Sequence, residues 1–185
     1  PNSREALDFS SARNRALTDA YEPGSTVKTL TLVAALESGQ FHIDSLVDTT
    51  PGRIRVGAKV LHDPRNYGEI SVSKIIEKSS QVGVTKMAQT VGHEAILDVL
   101  YRFGLGESTG TGFPGERAGR LPAPTHWSEI EKVTLAFGYG LTATPIQLAR
   151  AYAVLANGGV RRPLTLLKQD MGDLAPGKQV IDADI

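Results

Sequence analysis

Ser25-Thr26-Val27-Lys28 sets a hydroxyl and an amine at a spacing that one helical turn brings to the same face. A serine hydroxyl is a weak nucleophile until a neighbouring base takes its proton. Lysine is such a base where partial burial lowers its pKa toward neutrality. A serine at a helix start also lies in the partial positive charge of the N-terminus, which favours a developing oxyanion. The chemistry implied is nucleophilic acyl transfer. The pattern alone is not diagnostic, because Ser71-Val72-Ser73-Lys74 matches it as well. Ser71 reads as a helix cap followed by an exposed lysine. Ser25 differs: a Pro-Gly turn precedes it and an almost wholly apolar helix follows. A charged Lys28 in such a helix needs a partner or a purpose.

Other matches to catalytic patterns carry less. Gly106-Glu107-Ser108-Thr109-Gly110 fits G-x-S-x-G but lies in a Gly-rich loop, without the strand before it and helix after it that a nucleophile elbow needs. Gly110 to Gly115 fits G-x-G-x-x-G and lacks the same flanks. His42, His62, His93 and His126 are scattered without ligand spacing, so no metal site is expected. His62-Asp63 reads as a polar pair at a hairpin end, and Glu116-Arg117 as an ion pair pinning the glycine loop. Tyr139 stands between Gly138 and Gly140, where the backbone can pass close to something; its ring suits the lining of a cleft and equally a tyrosine packed on the surface of a loop.

The elements that must position these residues are legible in part. Residues 1–14 read as a loop, and Arg15 to Tyr21 as a short extended segment closed by Glu22-Pro23-Gly24. From Ser25, Val27, Leu30, Val33, Ala34 and Leu36 recur at helical spacing, and Gly39 supplies a stop. Arg53–Val56 and Lys59–His62 flank Gly57-Ala58 as a hairpin. Ser71 caps a helix that breaks near Ser79-Ser80; a second carries Val84, Met87 and Val91, and a third follows Gly92. Residues 104–127 form a long loop ending at Trp127, and a helix from Ser128 reaches no further than Phe137. Thr144-Pro145-Ile146-Gln147 combines a cap, a proline at the first helical position and a capping-box glutamine. Residues 160–169 read as a late strand.

The 185 residues suit one domain, with 41% hydrophobic and 22% charged residues. Twenty basic and twenty acidic residues cancel without long runs, so neither nucleic acid nor an anionic membrane surface is indicated as a partner. There is no cysteine, which excludes disulfides and thiolate catalysis. No apolar stretch approaches the roughly 18 residues of a membrane span.

Several segments together resemble the class B penicillin-binding proteins, most closely their division-specific peptidoglycan transpeptidases. They are AYEPGSTVKTLTLVAALESG, DPRNYGEISVSKIIEKSSQVGVTKMA, YRFGLGESTGTGFPGE and FGYGLTATPIQLARAYAVLANGG. The resemblance implies a mainly α fragment of an α+β domain: the helical part of the penicillin-binding fold, with most of its central sheet missing. Residues 1–185 are expected to be a partial transpeptidase domain, lacking the strands that precede the nucleophile helix and the K-T-G or K-S-G strand. The resemblance casts Ser25 as the acylated serine, Lys28 as its proton acceptor and Ser79 as the serine of the family's S-x-N motif. Gln81 stands where that motif has Asn, and Gly138 and Tyr139 are expected at the substrate. No Lys-Thr-Gly or Lys-Ser-Gly occurs.

The implied partners are peptidoglycan stem peptides ending in D-Ala-D-Ala, β-lactams and proteins of the division machinery. No metal or organic cofactor is implied. The implied location is the bacterial inner membrane, with the domain facing the periplasm and the anchor outside this chain. The fragment alone is expected to turn over little or no substrate and to self-associate through apolar surface left on the Ser25 helix. A β-lactamase or β-lactam sensor, a non-catalytic member of the fold and a helical interaction module are the alternatives.

Overall fold

In the computed structural model, the described residues are 13–123, 126–170, 172 and 175–185. Asn14 accepts a hydrogen bond from the Ala16 N–H and starts the single turn α1 (Arg15–Thr18). The sequence reading of an extended segment there is therefore corrected. The local pattern is overridden by Leu17, which is fully buried on a turn lying against the last long helix. Extended backbone resumes at Asp19, and Tyr21 bridges Ala143. Of the loop expected over residues 1–14, residues 1–12 lie outside the described part.

A 3-10 turn (Gly24–Val27) leads without a break into α2 (Lys28–Glu37). Leu30, Val33, Ala34 and Ala35 are buried, and Gly39 ends the helix with a φ of 68°. Strand β1 (Leu46–Asp48) pairs antiparallel with β4 (Glu69–Ser71), and between them β2 (Arg53–Val56) and β3 (Lys59–His62) form the expected hairpin, Val56 opposite Lys59. The β1–β4 ribbon went unread in the sequence because three-residue strands carry too little alternation.

Ser71 caps α3 (Val72–Lys78) by accepting from the Lys74 N–H. Then α4 (Gln81–Val91) follows after Ser79-Ser80 and α5 (His93–Arg102) after Gly92 alone, which takes a φ of 90°. Helix α6 (Glu129–Thr134) tightens into a 3-10 turn (Leu135–Phe137), and α7 (Pro145–Ala156) opens with the expected Thr144/Gln147 capping box. The late strand is shorter than residues 160–169. Only β5 (Val160–Arg161) forms, paired with β6 (Lys178–Gln179), because Pro163 offers no N–H to extend the ladder.

Helix α2 is the axis of this arrangement. Helices α3, α4, α5 and both 3-10 turns pack around it, and the Thr31 hydroxyl donates to the Ala136 carbonyl at 2.7 Å. No large hydrophobic side chain on α2 is exposed among the described residues, so the apolar surface expected on this helix is not found. Leu32 and Leu36 are half-buried. Among the described residues each sheet has two strands, and no helix is long and apolar enough to cross a membrane.

Candidate active site

Ser25 lies in the 3-10 turn and is exposed, while Lys28 is 3% exposed. The Lys28 N–H donates to the Ser25 carbonyl, which closes an i to i+3 turn. Side chains at i and i+3 lie on the same side in that geometry, although no hydrogen bond joins the Ser25 hydroxyl to the Lys28 amine among the described residues. Two distant contacts and one local one hold the turn. The Gly24 N–H donates to the Gly138 carbonyl at 3.2 Å, the Tyr152 hydroxyl donates to the Thr26 carbonyl at 2.8 Å, and the Thr26 hydroxyl donates to the Pro23 carbonyl at 2.9 Å. Tyr152 on α7 was not singled out from the sequence; nothing local to its helix signals a partner on α2's leading turn.

The Lys28 amine points across to the α3–α4 junction. It donates to the Ser79 carbonyl at 2.6 Å and to the Ser79 Oγ at 2.9 Å. Burial pushes the ammonium down from 10.5 to about 8, against the Asp63 carboxylate, whose charge favours the protonated form. Ser79 caps α3 in the left-handed region, with φ 52° and ψ 39°, and is the only non-glycine there among the described residues. A side chain in that region costs about 1–3 kcal/mol and persists where neighbours over-determine it. Here the Ser79 and Ser80 N–H groups bond back to Ile76 and Ile75, and the conformation turns both Ser79 oxygens toward Lys28.

Gln81, the first residue of α4, is half-buried. Its N–H donates to Asp63 Oδ1 at 2.6 Å, while its carboxamide has no hydrogen-bond partner among the described residues. Asp63 is the residue the sequence reading undervalued. It is no pair for His62; it is 8% exposed and also accepts from the Ser80 Oγ at 2.6 Å. Its partners lie beyond the next helix in sequence, and the only local signal was an acid closing a hairpin ahead of two serines.

Gly138 and Tyr139 follow the 3-10 turn after α6. Gly138 has a φ of 86°, and a Cβ there would stand 2.2 Å from the Gly24 carbonyl oxygen. The close approach that the glycines implied is thus to the backbone beside Ser25. Tyr139 is 46% exposed and packs edge-on against Phe137. It lines a pocket of about 340 Å³ with Arg120, Trp127, Glu131 and Thr134. Ser25 and Lys28 are not among that pocket's lining residues.

The discarded patterns keep structural roles. Ser108 sits in a loop held by Glu116, whose carboxylate accepts from the hydroxyls of Ser108, Thr109 and Thr111. The expected Glu116–Arg117 ion pair is replaced by these contacts. Burial alone would raise the Glu116 carboxyl, but the hydroxyls and the Thr109 N–H outweigh it and hold it at about 2. Among the described residues no cluster of His, Asp and Glu suits a metal ion.

The arrangement therefore joins a buried amine of lowered pKa to a strained serine by hydrogen bonds and sets both beside the turn of an exposed serine, whose backbone carbonyl accepts from the Lys28 N–H while its hydroxyl has no hydrogen-bond partner among the described residues. Residues 1–185 match the family model described as "Penicillin binding protein transpeptidase domain". The chain is 40% identical over its whole length to peptidoglycan D,D-transpeptidase FtsI of Escherichia coli strain K12, covering 31% of that protein. It is 38% identical over 170 residues to the probable peptidoglycan D,D-transpeptidase PbpC of Pseudomonas aeruginosa, covering 92% of the chain and 30% of that protein. Among solved structures, the transpeptidase domain of penicillin-binding protein 3 from Burkholderia pseudomallei superposes with a TM-score of 0.87 at 37% identity, over 93% of this chain and 52% of that one. A peptidoglycan glycosyltransferase from Burkholderia ambifaria gives a TM-score of 0.88 at 36% identity, over 96% and 56%. The chain thus spans about a third of the length of these curated relatives, and it belongs to the penicillin-binding protein transpeptidase domain family.

Proposed function

We propose that this chain carries the nucleophile and proton-transfer residues of a serine D,D-transpeptidase that cross-links peptidoglycan stem peptides and is acylated by β-lactams. The observation that supports it most is the Lys28 amine, buried, lowered to about 8 and held on Ser79 one 3-10 turn from an exposed Ser25. Neutral Lys28 takes the Ser25 proton as Oγ attacks the carbonyl of the penultimate D-Ala. The C–N bond to the terminal D-Ala then breaks. Ser79, bonded to Lys28, passes a proton to the departing amine. An amine of a neighbouring stem peptide attacks the acyl ester, forms the cross-link and returns the proton to Ser25 through the same pair.

Gly138 and Tyr139 form the wall beside the nucleophile turn in this reading, and Gln81 offers its unpaired carboxamide to the substrate. No cofactor is required by these steps. In the intact protein, a Lys-Thr-Gly or Lys-Ser-Gly strand outside residues 1–185 completes the cleft. By the resemblance to division-specific transpeptidases, the intact protein works at the inner membrane with this domain in the periplasm, among division-machinery proteins.

A fluorescent penicillin tests the reading on the intact protein. Covalent label that disappears in Ser25→Ala supports it, and an unlabelled wild type overturns it in favour of a non-catalytic member, for which the Gln81 replacement is the motivating feature. Rapid loss of the label by hydrolysis would mark a β-lactamase instead.

A further inference from the structure

We propose that Asp63 is a positioning residue for acyl transfer: its buried carboxylate clamps the Ser79-Ser80-Gln81 turn from behind and so holds Ser79 on the Lys28 amine. This rests on the reading of Ser25, Lys28 and Ser79 given above. The clamp is complete at the level of hydrogen bonds. The N–H groups at the start of an α-helix have no partners within the helix. At α4 the Ser80 N–H donates to the Ile75 carbonyl, Gln81 and Val82 donate to Asp63 Oδ1 at 2.6 and 3.2 Å, and Gly83 donates to the Ser80 Oγ at 2.9 Å. The Ser80 hydroxyl in turn donates to Asp63 Oδ2 at 2.6 Å. Asp63 is itself fixed to the β2–β3 hairpin region, its N–H donating to the Gly52 carbonyl at 2.9 Å. One carboxylate therefore ties the hairpin to the turn whose neighbouring residue, Ser79, is left-handed and bonded to Lys28.

The charge has a second consequence that hydrogen bonding alone would not have. Asp63 is the charged group whose field reaches Lys28 among the described residues. Those on the helices packed against α2 are engaged elsewhere. On α3, Lys74 and Lys78 pair with Glu77 at the surface. On α4, Lys86 bonds the Asp48 carbonyl, and on α5, Arg102 pairs with Glu37 and Asp98. His93, at the start of α5, lies against Glu94 and Trp127. A neutral isostere at Asp63 removes the opposing charge, so Lys28 loses its proton at lower pH.

The test compares Asp63→Asn, Asp63→Ala and a control, Ser71→Ala, in the intact protein. Ser71→Ala removes the cap of α3 without touching the clamp. Second-order acylation by fluorescent penicillin is followed against pH, alongside thermal unfolding. Asp63→Asn is expected to acylate about tenfold more slowly on the plateau and to move the rising limb roughly half to one pH unit lower. Asp63→Ala is expected to lose on the order of 100-fold. Ser71→Ala is expected to lower the unfolding temperature and leave rate and profile alone. Wild-type kinetics in Asp63→Asn, or a loss that merely tracks unfolding temperature across all three variants, overturns the proposal. Competitive labelling of the Lys28 amine with acetic anhydride across pH, read by peptide mass spectrometry, separates this from the parent reading. The Lys28 titration moves down in Asp63→Asn whether or not Ser25 is acylated. An unmoved titration refutes the clamp's electrostatic part even where Ser25→Ala abolishes label.

Discussion

Gly138→Ala probes how the turn carrying Ser25, the proposed nucleophile, is held. An alanine Cβ at this position would stand 2.2 Å from the Gly24 carbonyl oxygen, 2.6 Å from its nitrogen and 2.8 Å from its carbonyl carbon. All three are backbone atoms of the residue before Ser25, so no side chain can swing away. Ordinary carbon contacts lie at about 3.5 Å, and relief requires the two segments to part by about 1 Å. The Gly24 N–H bond to Gly138 is lost in the same movement. A misplacement of ~1 Å at a reacting atom costs ~100-fold. The left-handed φ of 86° adds about 1–2 kcal/mol for any L side chain, or roughly 2–8 °C in unfolding temperature. Gly140→Ala separates the two effects. Gly140 also has positive φ, at 77°, but a Cβ there meets nothing within 4 Å. It should lower the unfolding temperature by a similar backbone penalty and leave acylation near wild type. The assay is the second-order rate of labelling by fluorescent penicillin, with thermal unfolding of the same samples. If Gly138→Ala acylates within about threefold of Gly140→Ala, the turn is not positioned through Gly138 and the reasoning fails.

Three further outcomes concern the same site. With neutral Lys28 as the proposed base and burial lowering its pKa to about 8, acylation should rise about tenfold per pH unit below that value and level off above it; a rise continuing to 10.5 would mean an unperturbed lysine. The linked stability runs the same way: between about 8 and 10.5 the unfolded chain holds the proton that folded Lys28 has lost, so stability increases with pH over that window. Gln81→Asn, which shortens the free carboxamide by one methylene to match the family motif, should raise acylation by on the order of tenfold; a fall would show that the backbone already compensates for the longer side chain.

How far the sequence foretold this site depends on the range of each contact. The Thr144 capping box, the Gly57-Ala58 hairpin and the break at Ser79-Ser80 were readable because every partner lies within a few residues. The turn at Arg15–Thr18 was misread because Leu17 is fixed by burial beneath distant residues, which no local pattern records. Lys28 needs a partner by its place in an apolar helix, yet that partner, Ser79, lies 51 residues away. Asp63 reaches Ser80 across 17 residues, while its local pattern is that of a polar pair with His62 at a hairpin end. Gly138 announced a close approach by its type, but only the fold shows Gly24 on the other side.

The Gln81 replacement looks more consequential in the sequence than in the structure, because positioning and chemistry are carried by different atoms of the same turn. Its backbone N–H is the group that Asp63 holds, and any residue but proline supplies it. The left-handed Ser79 is set by hydrogen bonds to the carbonyls of Ile75 and Ile76 and from Lys28, and none of these bonds involves the Gln81 side chain. Exchanging Asn for Gln therefore leaves the hydrogen bonds that define the turn intact, and changes only how far an amide extends beyond it. The same separation makes Asp63 the more sensitive position. Its loss removes acceptors from two helix-start N–H groups and the Ser80 hydroxyl, all of them at a buried site where unpaired donors are costly. The turn that presents Ser79 to Lys28 thus depends more on a residue outside the S-x-N motif than on the motif's third side chain.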